Sequence, residues 1–320
     1  MQTAPSAVPR FPRVLVTGAA GFVGRHLVRE LESAGHAVAT TDAVPADAPA
    51  AAGLPDYAAA DLRDAEAMGA LVRGVRPDAV VHLAGVSFVP GAARDPSLAL
   101  SVNVGGTWTL AEALRAEAPR ARLLFVSTAQ VYGTLPSASP LREDSPLRPL
   151  SLYAVTKVAG ESLLLARHAA EGFDAVVARP GNHTGPGQSP KFVAPAFARQ
   201  VLAAKRGEVS ALRVGNLDSV RSFADVRDVV RAYRLLLERG ASGGVYNVAS
   251  PANVRIGDLL GRLRALAGCD APVETDPALW RPTDACPDLD VSRLRADTGW
   301  APAFSLDDTL RDLLADAAAR

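Results

Sequence analysis

Thr17-Gly18-Ala19-Ala20-Gly21-Phe22-Val23-Gly24 is the stretch on which the fold turns. The apolar run Arg13–Thr17 (RVLVT) leads into it, and residues 22–34 behind it carry apolar side chains at helical spacing. A buried strand, a glycine turn and a helix, in that order, are what the pyrophosphate of a dinucleotide requires. Gly18 turns the chain tightly, Gly21 lets phosphates approach the backbone, and Gly24 lets helix and strand pack closely. Phe22 and Val23 open the helix, whose free N–H groups and partial positive charge favour an anion. Spaced glycines alone are a weak signal, and their setting between strand and helix gives them weight.

Outward from this loop the pattern repeats. Strands are predicted at 37–41 (AVATT), 79–83 (AVVHL), 122–127 (RLLFVS) and 175–178 (AVVA). Helices are predicted at 65–73, in part of 91–116 and at 155–169. Strands alternating with helices imply βαβ units and a parallel sheet covered on both faces. After Pro180 the rhythm changes: 181–190 (GNHTGPGQSP) reads as a loop, and 46–60 as an Ala/Pro-rich surface loop. Further helices are predicted at 192–204, 226–239, 256–267 and 306–318. The expected fold is α/β, a Rossmann-like doubly wound parallel sheet with a smaller C-terminal substrate-binding lobe. Residues 1–12 are expected as a tail, 13–180 with about 225–248 as the nucleotide-binding part, and 181–224 with 249–320 as the lobe.

The chain has 320 residues, 34 Lys+Arg against 34 Asp+Glu, and 48% hydrophobic residues. That content excludes global disorder, and zero net charge argues against nucleic acid or a membrane surface as the main partner. Cys269 and Cys286 cannot build a disulfide framework, and no CxxC or His/Cys cluster points to a metal. The first twelve residues lack the apolar region of a signal peptide, and no apolar run approaches membrane length. A soluble cytoplasmic protein is expected.

Asp42 ends the second strand, where an acidic side chain can accept from adenosine ribose hydroxyls. No Lys or Arg lies between Arg29 and Arg63, so a 2′-phosphate would face Asp42 without a nearby cation in sequence. NAD(H) is therefore preferred, with NADP(H) the alternative. Tyr153 and Lys157 stand four apart at a helix start, on one face. A free phenol, with a pKa of about 10, exchanges protons poorly at neutral pH. An adjacent ammonium is expected to lower that value, so that Tyr153 serves a sugar oxygen while nicotinamide exchanges hydride at the attached carbon. Thr128, at the end of the preceding strand, is expected to hydrogen-bond the same oxygen, in preference to Ser127.

The segments TGAAGFVG, Ser127-Thr128-Ala129-Gln130-Val131-Tyr132-Gly133 and Tyr153-Ala154-Val155-Thr156-Lys157 together resemble the extended short-chain dehydrogenase/reductase family. The resemblance implies that Leu83 and Ala84, in His82-Leu83-Ala84-Gly85, line the cofactor. It also implies an adenine contact at Asp61-Leu62, a central helix motif at 103–107, and nicotinamide cover at Arg179-Pro180. In the second half, 182–188 (NHTGPGQ), 192–193, 197–200, 215–217, 221–228 (RSFADVRD) and 281–284 (RPTD) resemble the GDP-mannose dehydratase and GDP-4-dehydro-6-deoxy-mannose reductase branch. That branch implies a nucleotide-sugar substrate, GDP-sugar favoured over UDP-sugar. Asn182 would belong to the substrate site, Val193 would touch guanine, Arg221 and Arg281 the diphosphate, and Asp284 the ribose. A four-helix homodimer built on helices near 91–116 and 151–169 is implied too.

Two positions depart from the branch. Dehydratases of this kind carry carboxylate chemistry just after the catalytic Thr, and here Ala129 and Gln130 stand there. Reductases of the branch often carry basic or neutral residues where Asp42 sits. The leading expectation is a reductase acting at C4 of a GDP-4-keto-6-deoxyhexose through Thr128, Tyr153 and Lys157. The alternative is an NAD-dependent nucleotide-sugar 4-epimerase using the same residues, and a third class is a non-catalytic dinucleotide sensor.

Overall fold

A computed structural model describes residues 9–134, 140–250, 253–280 and 288–319. Strand β1 (Arg13–Thr17) is buried from Val14 onward, as an inner parallel strand must be. Helix α1 (Phe22–Ser33) folds back over it, burying Gly24, Leu27, Val28 and Leu31 as one stripe. The chain continues through β2 (Ala37–Asp42), β3 (Tyr57–Ala59), α2 (Ala65–Val75) and β4 (Ala79–His82). Then come α3 (Val89–Arg94), α4 (Pro96–Leu100), a π-helical turn Ser101–Gly106, α5 (Thr107–Glu117), β5 (Arg122–Val126), α6 (Leu152–Glu171) and β6 (Ala175–Pro180). Beyond Pro180 follow β7 (His183–Thr184), α7 (Val193–Lys205), β8 (Leu212–Val214), β9 (Val220–Ser222), β10 (Ala224–Asp225), α8 (Val226–Arg239) and β11 (Val245–Val248). The last elements are β12 (Asn253–Arg255), α9 (Ile256–Ala267), β13 (Val273–Thr275), α10 (Ser292–Thr298) and α11 (Leu306–Ala319).

Seven strands form one sheet in the order β11-β6-β5-β4-β1-β2-β3, every pair parallel. Alternate side chains go to opposite faces. Val14, Val16, Val81 and Leu124 pack beneath α1 and α8, whereas Leu15, Val80, Leu123 and Phe125 pack beneath α2, α5 and α6. This is the Rossmann-like doubly wound sheet read from the sequence. Strand order reverses between β1 and β4, and the crevice above that reversal is where such sheets receive ligands. A third core, including Phe197, Val201, Leu212, Leu259, Leu263 and Leu310, binds α7, α9 and α11 together. Three two-stranded sheets, β7 with β10, β8 with β13 and β9 with β12, lie outside the main sheet.

The structure departs from the sequence reading in several places. The single helix expected within 91–116 is broken. Asp95 caps a restart at Pro96, accepting from the Leu98 N–H at 2.9 Å, and residues 101–106 then widen into the π turn. The loop expected at 46–60 contains edge strand β3, which pairs Tyr57–Ala59 with Thr40–Asp42. Phe11, in the expected tail, is buried, with the guanidinium groups of Arg10 and Arg122 5.0 and 5.5 Å from the centre of its ring. Val291, Leu294 and Trp300 pack into the core beneath the sheet rather than the C-terminal one. Trp300 donates to the Asp228 carbonyl at 2.9 Å, and Tyr246 donates to Asp297 at 2.7 Å, which ties this segment to α8 and β11.

Candidate active site

A cavity of about 980 Å³ opens over the C-terminal ends of the central strands. Its floor begins at the glycine loop. Gly18 has φ of +73°, and a Cβ there would lie 2.6 Å from the Ala84 nitrogen. A Cβ on Gly24 would lie 2.4 Å from the Gly18 carbonyl oxygen, so helix and loop close only over hydrogen atoms. Gly21 caps α1 without a side-chain hydrogen bond, and the first turn holds no acidic residue. The N–H groups of that turn are therefore offered to a ligand anion, and this cradle fits the pyrophosphate of a dinucleotide. Asp42 stands on the cavity wall, its carboxylate accepting from Ala43 N at 2.8 Å and Ala20 N at 3.2 Å. Arg25 turns its guanidinium to the Ala50 and Ala52 carbonyls, at 2.5 and 3.3 Å.

Thr128, Tyr153 and Lys157 meet on the same cavity. Ser151 caps α6 by accepting from Ala154 N at 3.2 Å, which fixes where the helix begins. Tyr153 and Lys157 then project one turn apart, both buried. Lys157 Nζ donates to the Val126 carbonyl at 2.8 Å and lies 4.9 Å from the centre of the Phe125 ring. Burial lowers the Lys157 pKa to about 8 although Glu161 pulls it up. Burial also pushes the Tyr153 phenol up to about 12, against the pull of a hydrogen bond with Thr128. This corrects the expected direction for Tyr153. Desolvation of a buried phenolate outweighs the hydrogen bond from Thr128, so Tyr153 is held as a proton donor. Thr128 also closes the strand-end turn, accepting from Gln130 N at 3.2 Å.

Beneath this trio lies a buried polar network. The Ser127 hydroxyl donates to Glu161, which leaves Thr128 as the hydroxyl beside Tyr153. Glu161 in turn receives both Nε and Nη2 of Arg179, the closest contact 2.7 Å. Arg179 Nη1 donates to the Tyr132 hydroxyl at 2.8 Å, and that hydroxyl donates to Asn247 at 2.8 Å. The ends of β5, β6 and β11 are thereby locked to α6. Asn103, on the π turn, accepts from Val86 N at 2.7 Å and donates to Thr156 at 2.9 Å, bracing α6 from its other side. His82 bridges Thr17 and Thr107 at 2.7 and 3.0 Å, and burial with the nearby Lys157 charge drops its pKa to about 3.

Of the residues singled out from sequence, Gly18, Gly21, Phe22, Val23, Gly24, Asp42, Leu83, Ala84, Pro180, Asn182, Val193 and Arg221 also line this cavity. Ala129 and Gln130 stand on its wall. Asp61 and Leu62 do not line it. Asp61 is held in a two-pronged pair by Arg63, closest approach 2.5 Å, and Leu62 is buried beneath Gly106. Arg281 and Asp284 lie outside the described residues. Other lining residues were given no role at the site from sequence, among them His183, Phe192 and Tyr233. His183 stacks 6.3 Å from Phe22 and sets Nδ1 3.1 Å from the Gly181 carbonyl oxygen. It stood inside the quoted NHTGPGQ segment, whose loop character gave no direction for its ring. Among the described residues no three His, Cys, Asp or Glu side chains are grouped to hold a metal, and no helix is long and apolar enough to cross a membrane.

A dinucleotide cradle on a doubly wound sheet, with a Tyr/Lys/Thr trio across from it, defines a nicotinamide-dependent class of protein, and the family comparison agrees. The chain belongs to the NAD dependent epimerase/dehydratase family, whose model matches residues 14–249. It is 38% identical to GDP-6-deoxy-D-mannose reductase of Pseudomonas aeruginosa, over 95% of this chain and 96% of that protein. It is 33% identical to UDP-glucose 4-epimerase of Mycolicibacterium smegmatis, over 92% of this chain and 95% of that protein. Among solved structures, RMD from Pseudomonas aeruginosa complexed with NADPH superposes with a TM-score of 0.85 at 36% identity, covering 96% of this chain and 99% of that one.

Proposed function

We propose that this protein reduces the C4 carbonyl of a GDP-4-keto-6-deoxyhexose at the expense of a reduced nicotinamide dinucleotide. The observation that carries the reading is the pair Ala129 and Gln130 on the cavity wall beside Thr128. Neither side chain can take a proton from C5 or expel the C6 hydroxyl, so these two positions supply no elimination chemistry. The likeness to a GDP-6-deoxy-D-mannose reductase supports the same substrate class.

The glycine cradle would hold the pyrophosphate of a dinucleotide, whose reduced nicotinamide would supply the hydride. Thr128 and Tyr153 hydrogen-bond the substrate's keto oxygen and draw electron density toward it. Tyr153 gives its proton to that oxygen as C4 is reduced. Lys157 holds the nicotinamide ribose, and its ammonium stabilises the negative charge left on the Tyr153 oxygen. Arg221, with Arg281 by resemblance, holds the substrate diphosphate, for which a guanidinium fork is suited. Asn182 and Val193, with Asp284 by resemblance, complete the nucleotide-sugar site. Asp42 supports NADH over NADPH, because a 2′-phosphate would meet a carboxylate. The same residue is what favours the second reading, an epimerase that retains NAD. A homodimer joined through α4, α5 and α6 completes the proposal, since Leu98, Leu100, Trp108 and Val155 there stand 39 to 45% exposed.

Mixing the protein with GDP-4-keto-6-deoxymannose and either reduced cofactor tests the reading. Loss of reduced-nicotinamide absorbance with formation of a 6-deoxyhexose is expected, faster with NADH. An unchanged absorbance with both cofactors would contradict it.

A further inference from the structure

The chemistry above makes no use of Tyr233. This residue lies on α8 with no exposed surface, its ring packed in the core beneath the sheet with Val81, Leu124 and Val126. Its side chain nevertheless forms part of the cavity wall. Among the described residues its hydroxyl has no hydrogen-bond partner. The other fully buried tyrosines differ. Tyr132 is bonded to Arg179 and Asn247, and Tyr246 to Ala241 N and Asp297. Burying an unbonded hydroxyl is costly, and phenylalanine would fill the same space without that cost. An orphaned hydroxyl at a cavity wall is accounted for when a ligand supplies its partner.

The position narrows what that partner is. Helix α8 lies under the sheet against β5 and β6, while Tyr153 arrives from α6 on the opposite face. The two phenols approach the cavity from either side of the strand ends, and the charge of one is felt by the other. This is the reacting half of the cavity, apart from the first turn of α1 that serves phosphates. Burial keeps the Tyr233 phenol protonated, so it offers one donor and an acceptor. A planar group with one carbonyl and one amide N–H matches that offer.

We infer that the Tyr233 hydroxyl binds the carboxamide of the cofactor's nicotinamide ring and so sets the orientation of that ring. The inference rests on the dinucleotide reading of the cavity. The test compares wild-type protein with Tyr233→Phe by calorimetric titration of NADH and of ADP-ribose, which keeps the adenosine and diphosphate but lacks nicotinamide. NADH is expected to bind the variant about five- to tenfold more weakly, the loss of one hydrogen bond, with ADP-ribose unchanged. Ligand-free Tyr233→Phe is expected to melt no lower than wild type, because it sheds an unbonded buried hydroxyl. NADH affinity within twofold of wild type overturns the inference. An equal loss for ADP-ribose also overturns it, by moving the contact to the diphosphate half. A second arm needs no variant: a dinucleotide with hydrogen in place of the carboxamide should bind wild type at least fivefold more weakly than NAD, and equal binding overturns the inference. If wild-type protein binds ADP-ribose, NADH and NADPH not at all, the functional reading itself fails, and the inference fails with it.

Discussion

Lys157 is the residue whose protonation governs the proposed chemistry near neutrality. Its folded pKa, lowered by burial to about 8, lies well below that of Tyr153 at about 12. Rising pH therefore removes the ammonium long before it removes the phenolic proton. We predict that kcat/KM for reduction falls as pH rises through about 8, which a pH–rate profile measures. A profile flat to pH 10 would show that the ammonium is dispensable. Asp42 gives a second prediction at this scale. Asp42→Ser should raise the preference for NADPH relative to NADH by about tenfold, the size of one removed charge repulsion. Steady-state kinetics with both cofactors measures the ratio. The Tyr153–Lys157 pair and Asp42 were legible in sequence because each is marked by its own neighbours, a helix start or a strand end. Tyr233 and His183 were not, because they reach the cavity from elements distant in sequence and nothing local marks which side chain will do so. The direction of the Tyr153 shift was not legible either: a sequence shows the adjacent lysine but not the burial that raises the phenol.

At the scale of elements, long amphipathic helices and buried strands were legible to within a few residues, because periodicity repeats over several turns. α8 and α9 fell where they were expected. Strands of two or three residues, such as β7, β9 and β10, carry no period to read, yet β9 brings Arg221 to the cavity. The break between α3 and α5 followed from Asp95 and Pro96, visible in the sequence but overridden in its reading by the helical composition around them. The exposed apolar face of α4, α5 and α6 carries a prediction. Val155→Glu, on α6 two residues past Tyr153, should convert the proposed dimer to monomer by light scattering. A buried glutamate at a symmetric interface is repeated in both copies, which magnifies its effect. An unchanged mass would remove this face from the assembly.

The molecule as a whole holds several imidazoles that resist protonation. His26, His82 and His183 all have pKa values lowered by burial, His82 to about 3. The folded chain therefore binds fewer protons at these sites than the unfolded chain once pH drops below 6.5, and stability is lost toward the folded values. His36 works in the opposite sense, because Glu238 raises it, so its contribution is complete below 6.5. Three against one predicts a melting temperature that falls between pH 7 and pH 5, and calorimetry across that range checks it. The balanced 34 and 34 charges of the whole chain hide this local arrangement, as they hide the carboxylate of Asp42 and the guanidinium of Arg221 on one cavity. The proposed reaction moves one hydride from cofactor to C4. With nicotinamide cofactor deuterated at the transferable position and GDP-4-keto-6-deoxymannose, one deuterium is expected at C4 of the product hexose for each cofactor oxidised, read by mass spectrometry and NMR. Interconversion of C4 epimers without uptake of deuterium or consumption of cofactor would contradict it.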